Sequence, residues 1–381
     1  MLNENNTELT KYKKQCLYIN RQPTLFRHGA PYVHVVPIDE GEIITTSPLF
    51  VEPLNQDFDG DSVALYTIHD KDAILESFQK AFLGNTIKYD QSDDFLSTIR
   101  HEALYAAFIL SKDFDKIDSK DSKDPDMIKC PNLAAIKENQ DLYNNPNLNV
   151  YLEDHNKVFK YGICLLNKWC GFKEIIINRK ISKKETNYIS QTIYDYTKNN
   201  IYNANANNAA VYRRGSLDSL DSSELNKNSK IGIEEQIKYD FYERITNLEK
   251  HLFFYISLTN YNAPTLNIDH MINVVSSEEK ELFHKIPDNI KLGYLVNHSL
   301  TEKCLDTFKT KDITLNYLVQ SGSRFSANQL SRSFINLGFI ADSDNQIVPK
   351  AINTNLLEGL TEEEFFIGSS GTRKGKYCLF V

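Results

Sequence analysis

Nowhere in its 381 residues does this chain hold an apolar run near the ~20 residues that a helix needs to cross a bilayer. The amino terminus, M-L-N-E-N-N-T-E-L-T, lacks the basic start and apolar centre of a secretory signal, so the expectation is a cytoplasmic chain without a membrane role. No C-x-x-C pair occurs among Cys16, Cys130, Cys164, Cys170, Cys304 and Cys378, and no histidine stands near them at zinc-ligand spacing; the thiols are expected reduced and packed. Basic charge is also short. Lys and Arg number 43 against 51 Asp and Glu, a net charge of −8, which argues against a chain that coats nucleic acid by itself and makes any such contact local or shared with partners. No internal repeat is present. What the chain does have is 41% hydrophobic residues, enough for real cores in two or three domains.

One short stretch stands out chemically. Asn55 to Ser62 reads N-Q-D-F-D-G-D-S, with aspartates at every second position. Ionised carboxylates so close repel one another unless a cation sits among them. In extended backbone Asp57, Asp59 and Asp61 face one way while Phe58 faces a core, and Gly60 lets the chain curl so that the oxygens converge. Hard oxygen ligands suit Mg²⁺ or Mn²⁺ and argue against zinc. A calcium EF-hand starting at Asn55 would need a bidentate Glu where Tyr66 stands. Its flanks, T-T-S-P-L-F-V-E-P-L and S-V-A-L-Y-T-I, read as strands and not as paired helices. From these residues alone a metal site and a solvated acidic turn both remain open.

Along the chain, residues 1–70 read as β-rich, through C-L-Y-I-N, Y-V-H-V-V-P, G-E-I-I-T-T and S-V-A-L-Y-T-I. Helical periodicity begins at Asp72 and covers D-A-I-L-E-S-F-Q-K-A-F-L and H-E-A-L-Y-A-A-F-I-L. Ser111 to Asp126 is a charged loop. Helices resume near Val158 and Lys183, and Ile233 to about Ser257 reads as one long helix. Between them, residues 198–229 are Asn- and Ser-rich without periodicity and are expected to form a mobile loop.

Four motifs in order carry a family resemblance. Asn20-Arg21-Gln22-Pro23-Thr24-Leu25-Phe26-Arg27 precedes the aspartates, Ser321-Gly322-Ser323-Arg324-Phe325-Ser326 follows far downstream, and Gly359-Leu360-Thr361-Glu362-Glu363-Glu364-Phe365-Phe366 comes last. Together they resemble the largest, β′-type, subunit of multisubunit DNA-dependent RNA polymerases, whose elements read N-R-x-P-T-L-H-R, N-A-D-F-D-G-D, S-G-[AS]-[RK]-G-S and G-L-[NT]-x-x-x-[YF]-F. Residues of about 175–310 carry no motif legible by eye. Gln56 stands for the family's Ala, Ser62 for Gln, Phe26 for His and Phe325 for Gly; none of these removes a metal ligand.

The resemblance implies an α+β chain in three parts. Residues 1–70 would be the second half of a double-psi β-barrel with its metal loop, 71–310 a mostly helical pore or funnel region, and 311–381 cleft-side helices with the start of the bridge helix. It implies Mg²⁺ on Asp57, Asp59 and Asp61, contacts from Arg21 and Asn55 to the ribose of the incoming NTP, and a contact from Arg324 to its phosphates. Arg27 and His28 would either face the RNA–DNA hybrid or pack the barrel. The bridge helix would start at Thr361, where Glu364 completes a capping box, and would include Gly371 and Arg373, with Gly368 and Gly371 easing its bending. The expected partners are a β-type subunit, the remaining β′ pieces, the DNA template, the RNA product and NTPs. Alone the chain is expected to be inactive.

The family subunit is far longer. Division of this subunit among separate chains is known from large bacteriophages, and the Asn-, Lys-, Ile- and Tyr-rich composition suits an AT-rich phage genome, hence the cytoplasm of an infected host. The alternatives are a two-barrel RNA-dependent RNA polymerase, disfavoured by the N-R-x-P-T-L and S-G-S-R elements, and a non-catalytic scaffold, disfavoured by the intact aspartates. Past Gly375 the tail K-Y-C-L-F-V leaves the family pattern; Lys376 to Val381 is expected to come from an intervening sequence, the alternative being a split at which the next polypeptide completes the helix.

Overall fold

The computed structural model describes residues 16–35, 43–57, 59–82, 86–89, 92–115, 127–212, 222–260, 299, 302, 306, 313–334, 336–342, 346–356 and 358–369. They fall into two compact units, Met1–Tyr255 and Ile256–Val381.

The first unit begins with a three-stranded antiparallel sheet of β1 (Cys16–Asn20), β2 (Tyr32–His34) and β3 (Ala64–Thr67), in the order β2-β1-β3. Ile19 and Tyr32 are buried and anchor the sheet to the core. Three of the four β-like runs therefore contain strands. The described part of the fourth, residues 43–46, does not: Ile43 and Ile44 are 83% and 54% exposed and carry no strand pairing. The following S-P-L-F-V is also not a strand. It forms a 3₁₀ turn, Pro48–Phe50, because Ser47 caps it and proline at its first position is pre-set for a helical start.

Helix α1 (Lys71–Ala81) starts where the Asp70 side chain accepts hydrogen bonds from the amides of Asp72 and Ala73. Helix α2 (His101–Ser111) is buried from Ala103 to Ser111, an all-round apolar helix at the centre of the unit. The region expected to be mostly helical contains a second sheet, of β4 (Ile128–Cys130), β5 (Asn149–Leu152) and β6 (Lys157–Lys160), with β4 parallel to β5 and β5 antiparallel to β6. A single helical turn, α3 (Gln140–Tyr143), lies between β4 and β5.

Helix α4 (Tyr161–Trp169) packs on α2 at the closest approach that a side chain could prevent: a Cβ on Gly162 would stand 2.2 Å from the Leu110 carbonyl oxygen. Buried Asn167 of α4 satisfies its whole amide, donating to the carbonyls of Ile163 and Ile177 and accepting from the amides of Ile176 and Ile177. It thereby ties the following loop to the helix.

Two long helices complete this unit, α5 (Thr186–Tyr212) and α6 (Ser222–Leu258). Ile237, Phe241, Ile245, Leu248, Leu252 and Tyr255 form the buried stripe of α6, and Phe95, Tyr194 and Phe241 meet ring to ring. Residues 198–212 and 222–229 are thus helical and not an aperiodic loop; 213–221 lie outside the described residues. A polar helix lacks an apolar stripe, so periodicity misses it, whereas the alanines at 204, 206, 209 and 210 favour helix intrinsically. Among the described residues Cys16, Cys130, Cys164 and Cys170 form no disulfide, and the last three are buried.

In the second unit, α7 (Ile313–Ser321) and α8 (Ala327–Phe334) are joined by the S-G-S-R-F-S segment. Gly322 leaves α7 with φ +69°, and α8 opens with a reciprocal cap in which the Ser326 amide donates to the Gln329 side chain and the Gln329 amide to the Ser326 hydroxyl. Phe325, squeezed between the two caps, has φ +58°. This is the position where the family resemblance has glycine. A left-handed L-residue costs ~1–2 kcal/mol, so Phe325→Gly is expected to leave stability unchanged or raise it by up to ~1 kcal/mol, and Phe325→Val to lower it by a similar amount. Thermal melts of the two variants check this; a destabilising glycine would refute it.

Residues 338–352 are held by antiparallel bridges Gly338↔Ile352 and Ala341↔Ile347. Helix α9, residues 362–369, follows. Thr361 and Glu364 form the expected capping box: the Thr361 amide donates to the Glu364 carboxylate and the Glu364 amide to the Thr361 hydroxyl. The same carboxylate accepts from the Thr361 hydroxyl and from the amides of Asn353 and Thr354 and the Thr354 hydroxyl. These hydrogen bonds hold the Glu364 carboxyl below its usual range against the opposing effect of burial. Gly371 and Arg373 lie outside the described residues.

Candidate active site

The register of β1 on β3 builds the site. Asn20 pairs with Ala64, so Arg21, one residue beyond β1, and Asp61, three before β3, come to the same end of the ladder. There the Arg21 Nε donates to Asp61 Oδ2 at 2.7 Å and a terminal guanidinium nitrogen to Oδ1 at 3.2 Å, a two-point contact that fixes the plane of both groups. The Asp57 amide adds a third hydrogen bond to Asp61 Oδ2, at 2.9 Å. Arg21 and then the Asp57 amide hold the Asp61 carboxyl below the usual aspartate range, so it stays ionised. The pair is solvent-facing, and its importance is aim more than stability.

The loop is entered through a helix end. The Ser47 hydroxyl accepts from the Leu49 amide at 3.3 Å and starts the turn. At its far end the Gln56 amide donates to the Val51 carbonyl and the Asn55 amide to the Glu52 carbonyl, both at 2.9 Å, while Asn55 has φ +46°. This is a Schellman ending with asparagine in the left-handed position usually given to glycine. Asn55 therefore has a backbone task that its motif does not announce. Gln56, where the family has Ala, donates from its side chain to the Thr46 hydroxyl at 2.9 Å and closes the neck of the loop.

The described residues among 57–61 do not form a strand. Residues 59 and 60 form a turn, Gly60 has φ +106°, and Asp61 reaches back to the Asp57 amide. Gly60 is required by this conformation alone, since nothing lies within 4 Å of an added Cβ. Asp57, Asp59 and Asp61 are exposed, and Phe58 lies outside the described residues. Among the described residues no three acidic, histidine or cysteine side chains converge closely enough to share an ion. The curl expected at Gly60 is present, while the carboxylates do not stand on an extended strand. The donor set still fits a hard divalent cation, since it is all oxygen, open to solvent and includes one carboxylate held ionised by its neighbours.

His28 lies among rings, stacked on Phe26 with centroids 5.2 Å apart and edge-on to Tyr89 at 5.0 Å, while Arg27 is exposed. Arg324 and Thr361 belong to the second unit, with Arg324 exposed on the α7–α8 connection.

Sequence reasoning missed the groups that support the entry turn. Glu52 forms an ion pair with Arg100 and a hydrogen bond with Tyr89. Glu249 of α6 is only 4% exposed, and its Oε2 accepts from the Ser47 hydroxyl at 3.4 Å. Burial pushes the Glu249 carboxyl up to about 7, with Ser47 opposing weakly. The signal was available: Glu249 stands four residues after Ile245 and three before Leu252, inside the apolar stripe.

A family model for RNA polymerase Rpb1, domain 2, matches residues 5–79, the segment that holds β1, the entry turn and the carboxylate loop. Over nearly the whole chain the similarity is to bacterial subunits. The β′ subunit of DNA-directed RNA polymerase from Borreliella burgdorferi is 22% identical over 370 residues, 95% of this chain and 25% of that subunit. The chain is similar to β′-type RNA polymerase subunits. The β′ subunit of Campylobacter lari is 24% identical over 368 residues, covering 94% of this chain and 22% of its own length. That of Caldanaerobacter subterraneus is 22% identical over 386 residues, 95% of this chain and 30% of its own. The likeness to β′ runs through the middle region where no motif is legible, and the chain spans about a quarter of the length of the curated relatives it matches.

Proposed function

We propose that this chain is the catalytic piece of a split β′-type subunit of a DNA-directed RNA polymerase, of the kind found in large bacteriophages. In the assembled enzyme it acts in templated nucleotidyl transfer from NTPs to the RNA 3′ end. The observation that carries this reading is the β1–β3 register, which sets Arg21 against Asp61 within the segment that the family model matches.

Asp57, Asp59 and Asp61 would hold Mg²⁺. When bound, it supplies charge neutralisation at the reacting phosphate and lowers the pKa of the attacking 3′-hydroxyl. The chain's own residues position. Asp61 orients the Arg21 guanidinium, which together with the Asn55 amide is proposed to hydrogen-bond the ribose hydroxyls and so to select ribose over deoxyribose. Arg324 is proposed for the phosphates on the resemblance of its S-G-S-R element. The β1–β3 sheet would belong to a double-psi barrel half, and α9 would begin the bridge helix, continuing through Gly371 and Arg373. The remaining β′ pieces, a β-type subunit, DNA template and RNA product complete the assembly.

Reconstitution tests it. The chain mixed with the other subunits is expected to extend RNA on a DNA template, and a mixture that extends RNA equally well without it sinks the reading.

The double task of Asn55 can be separated. Asn55→Gly keeps the left-handed cap and deletes the amide, so stability should hold while discrimination against dNTPs relaxes by roughly 5-fold to 150-fold, the worth of a ~1–3 kcal/mol hydrogen bond. Single-nucleotide incorporation with paired NTP and dNTP measures it. An unchanged ratio would leave Asn55 as a cap alone.

A further inference from the structure

Glu249 is a buried acid that the proposed chemistry does not use. Its Oε2 has a single long contact, 3.4 Å to the Ser47 hydroxyl, and its Oε1 is buried with no hydrogen-bond partner. Ser47 in turn caps the 3₁₀ turn Pro48–Phe50, and the turn that follows it ends at the left-handed Asn55, two residues before Asp57. We propose that Glu249 is a positioning residue: through Ser47 its carboxyl fastens the 47–56 turn to α6 while protonated and releases it when ionised, so that the aim of the carboxylate loop responds to pH near neutrality. The effect on metal rests on the function proposed above; the effect on the turn does not.

The physical argument is one of charge support. A neutral carboxyl and a serine hydroxyl make an adequate buried pair with the proton on either side. An ionised carboxylate in the same place keeps one neutral donor, at long range, and a second oxygen with none. So poorly supported a buried charge either draws in water or shifts the segment that faces it. Among the described residues no cation pairs with Glu249. Ser47 faces it from the turn, and Tyr242, earlier on the same helix and half-buried, has its phenol pushed up to about 12 by desolvation and by the Glu249 charge. Glu52, five residues further along, is tied independently to Arg100 and Tyr89, so release at Ser47 loosens the turn and lets it re-aim without unfolding the unit.

The sign follows from the direction of the shift. With its folded-state value raised to about 7, Glu249 contributes stability that is fully present below the ordinary Glu range and is lost as pH rises through about 7.

The test is hydrogen exchange of the full-length chain, followed by mass spectrometry of peptides covering residues 47–56, between pH 6 and 8.5 after correction for intrinsic rates. In the wild type, protection of the Leu49, Asn55 and Gln56 amides is expected to fall about tenfold across pH 7. Glu249→Gln, which mimics the neutral acid, should keep the low-pH protection throughout, and Ser47→Ala should show weak protection at both ends. An equal fall in wild type and Glu249→Gln overturns the proposal, as does a flat wild-type profile. In a parallel arm, Mn²⁺ affinity followed by its paramagnetic resonance should drop several-fold over the same range in wild type but not in Glu249→Gln. If Asp59→Ala binds Mn²⁺ as well as wild type, the metal assignment fails and the exchange result still decides the role of Glu249.

Discussion

Asp59→Ala is expected to abolish RNA extension by the assembled enzyme while leaving assembly nearly intact. Asp59 is exposed at the tip of the loop, beside Gly60, and makes no packing contribution whose loss could unfold the unit. The Arg21–Asp61 contact and the Schellman ending at Asn55 hold the loop from either side and do not involve Asp59. What is lost is one of three carboxylates proposed to hold the metal, and metal-borne charge stabilisation is worth several kcal/mol, with ~1.4 kcal/mol to each factor of ten in rate. Primer extension by purified complexes, with subunit composition checked by native mass spectrometry, decides it. Extension within tenfold of wild type would remove the loop from the chemistry.

Gly162→Ala should produce the largest loss of stability of any single-methyl addition considered for this chain. The added Cβ would lie 2.2 Å from the Leu110 carbonyl oxygen and 2.8 Å from both the Leu110 carbonyl carbon and Cα. All three are backbone atoms in the buried helix α2, so no rotamer change relieves the clash. Overpacking in a core ordinarily costs ~1–3 kcal/mol, and separation of two helix backbones lies at or above that range. Leu110→Ala should not rescue it, because the side chain is not what collides. Gly60→Ala makes the contrast. The same methyl group there meets nothing within 4 Å, and the cost is confined to φ +106°. Denaturant midpoints for the two variants should therefore differ widely, and similar midpoints would contradict the packing described at Gly162.

The carboxylate loop and Arg21 were legible because their spacing is itself a geometric statement: a strand, a return strand and a charged turn at the same end. The entry turn was not, because Phe50, Val51 and the surrounding apolar residues of S-P-L-F-V-E-P-L-N carry β-like propensity. The opposing signals were Ser-Pro at the start and Asn at the end, which mark a capped helical segment. The second sheet escaped for a related reason. N-V-Y-L-E-D-H-N-K-V-F-K alternates well and has a turn with Asn156 at φ +50°, yet it sits between strongly helical stretches that dominate a coarse reading. Glu249 shows the opposite error, in which a charged residue on an amphipathic helix is taken for its wet face although its period places it with Ile245 and Leu252.

Glu364 gives helix α9 a mechanical character. Five hydrogen bonds from Asn353, Thr354 and Thr361 end on its one carboxylate, so the first turn is clamped to the preceding chain as a beam is clamped at a wall. Further along, Gly368 contributes no side chain, and a Cβ there would come no closer than 3.7 Å to Ile340, Ile352 and Leu360. A load carried along α9 therefore meets a fixed root at Thr361 and Glu364, and among its described residues bending is easiest at Gly368, since glycine costs a helix ~1 kcal/mol relative to alanine.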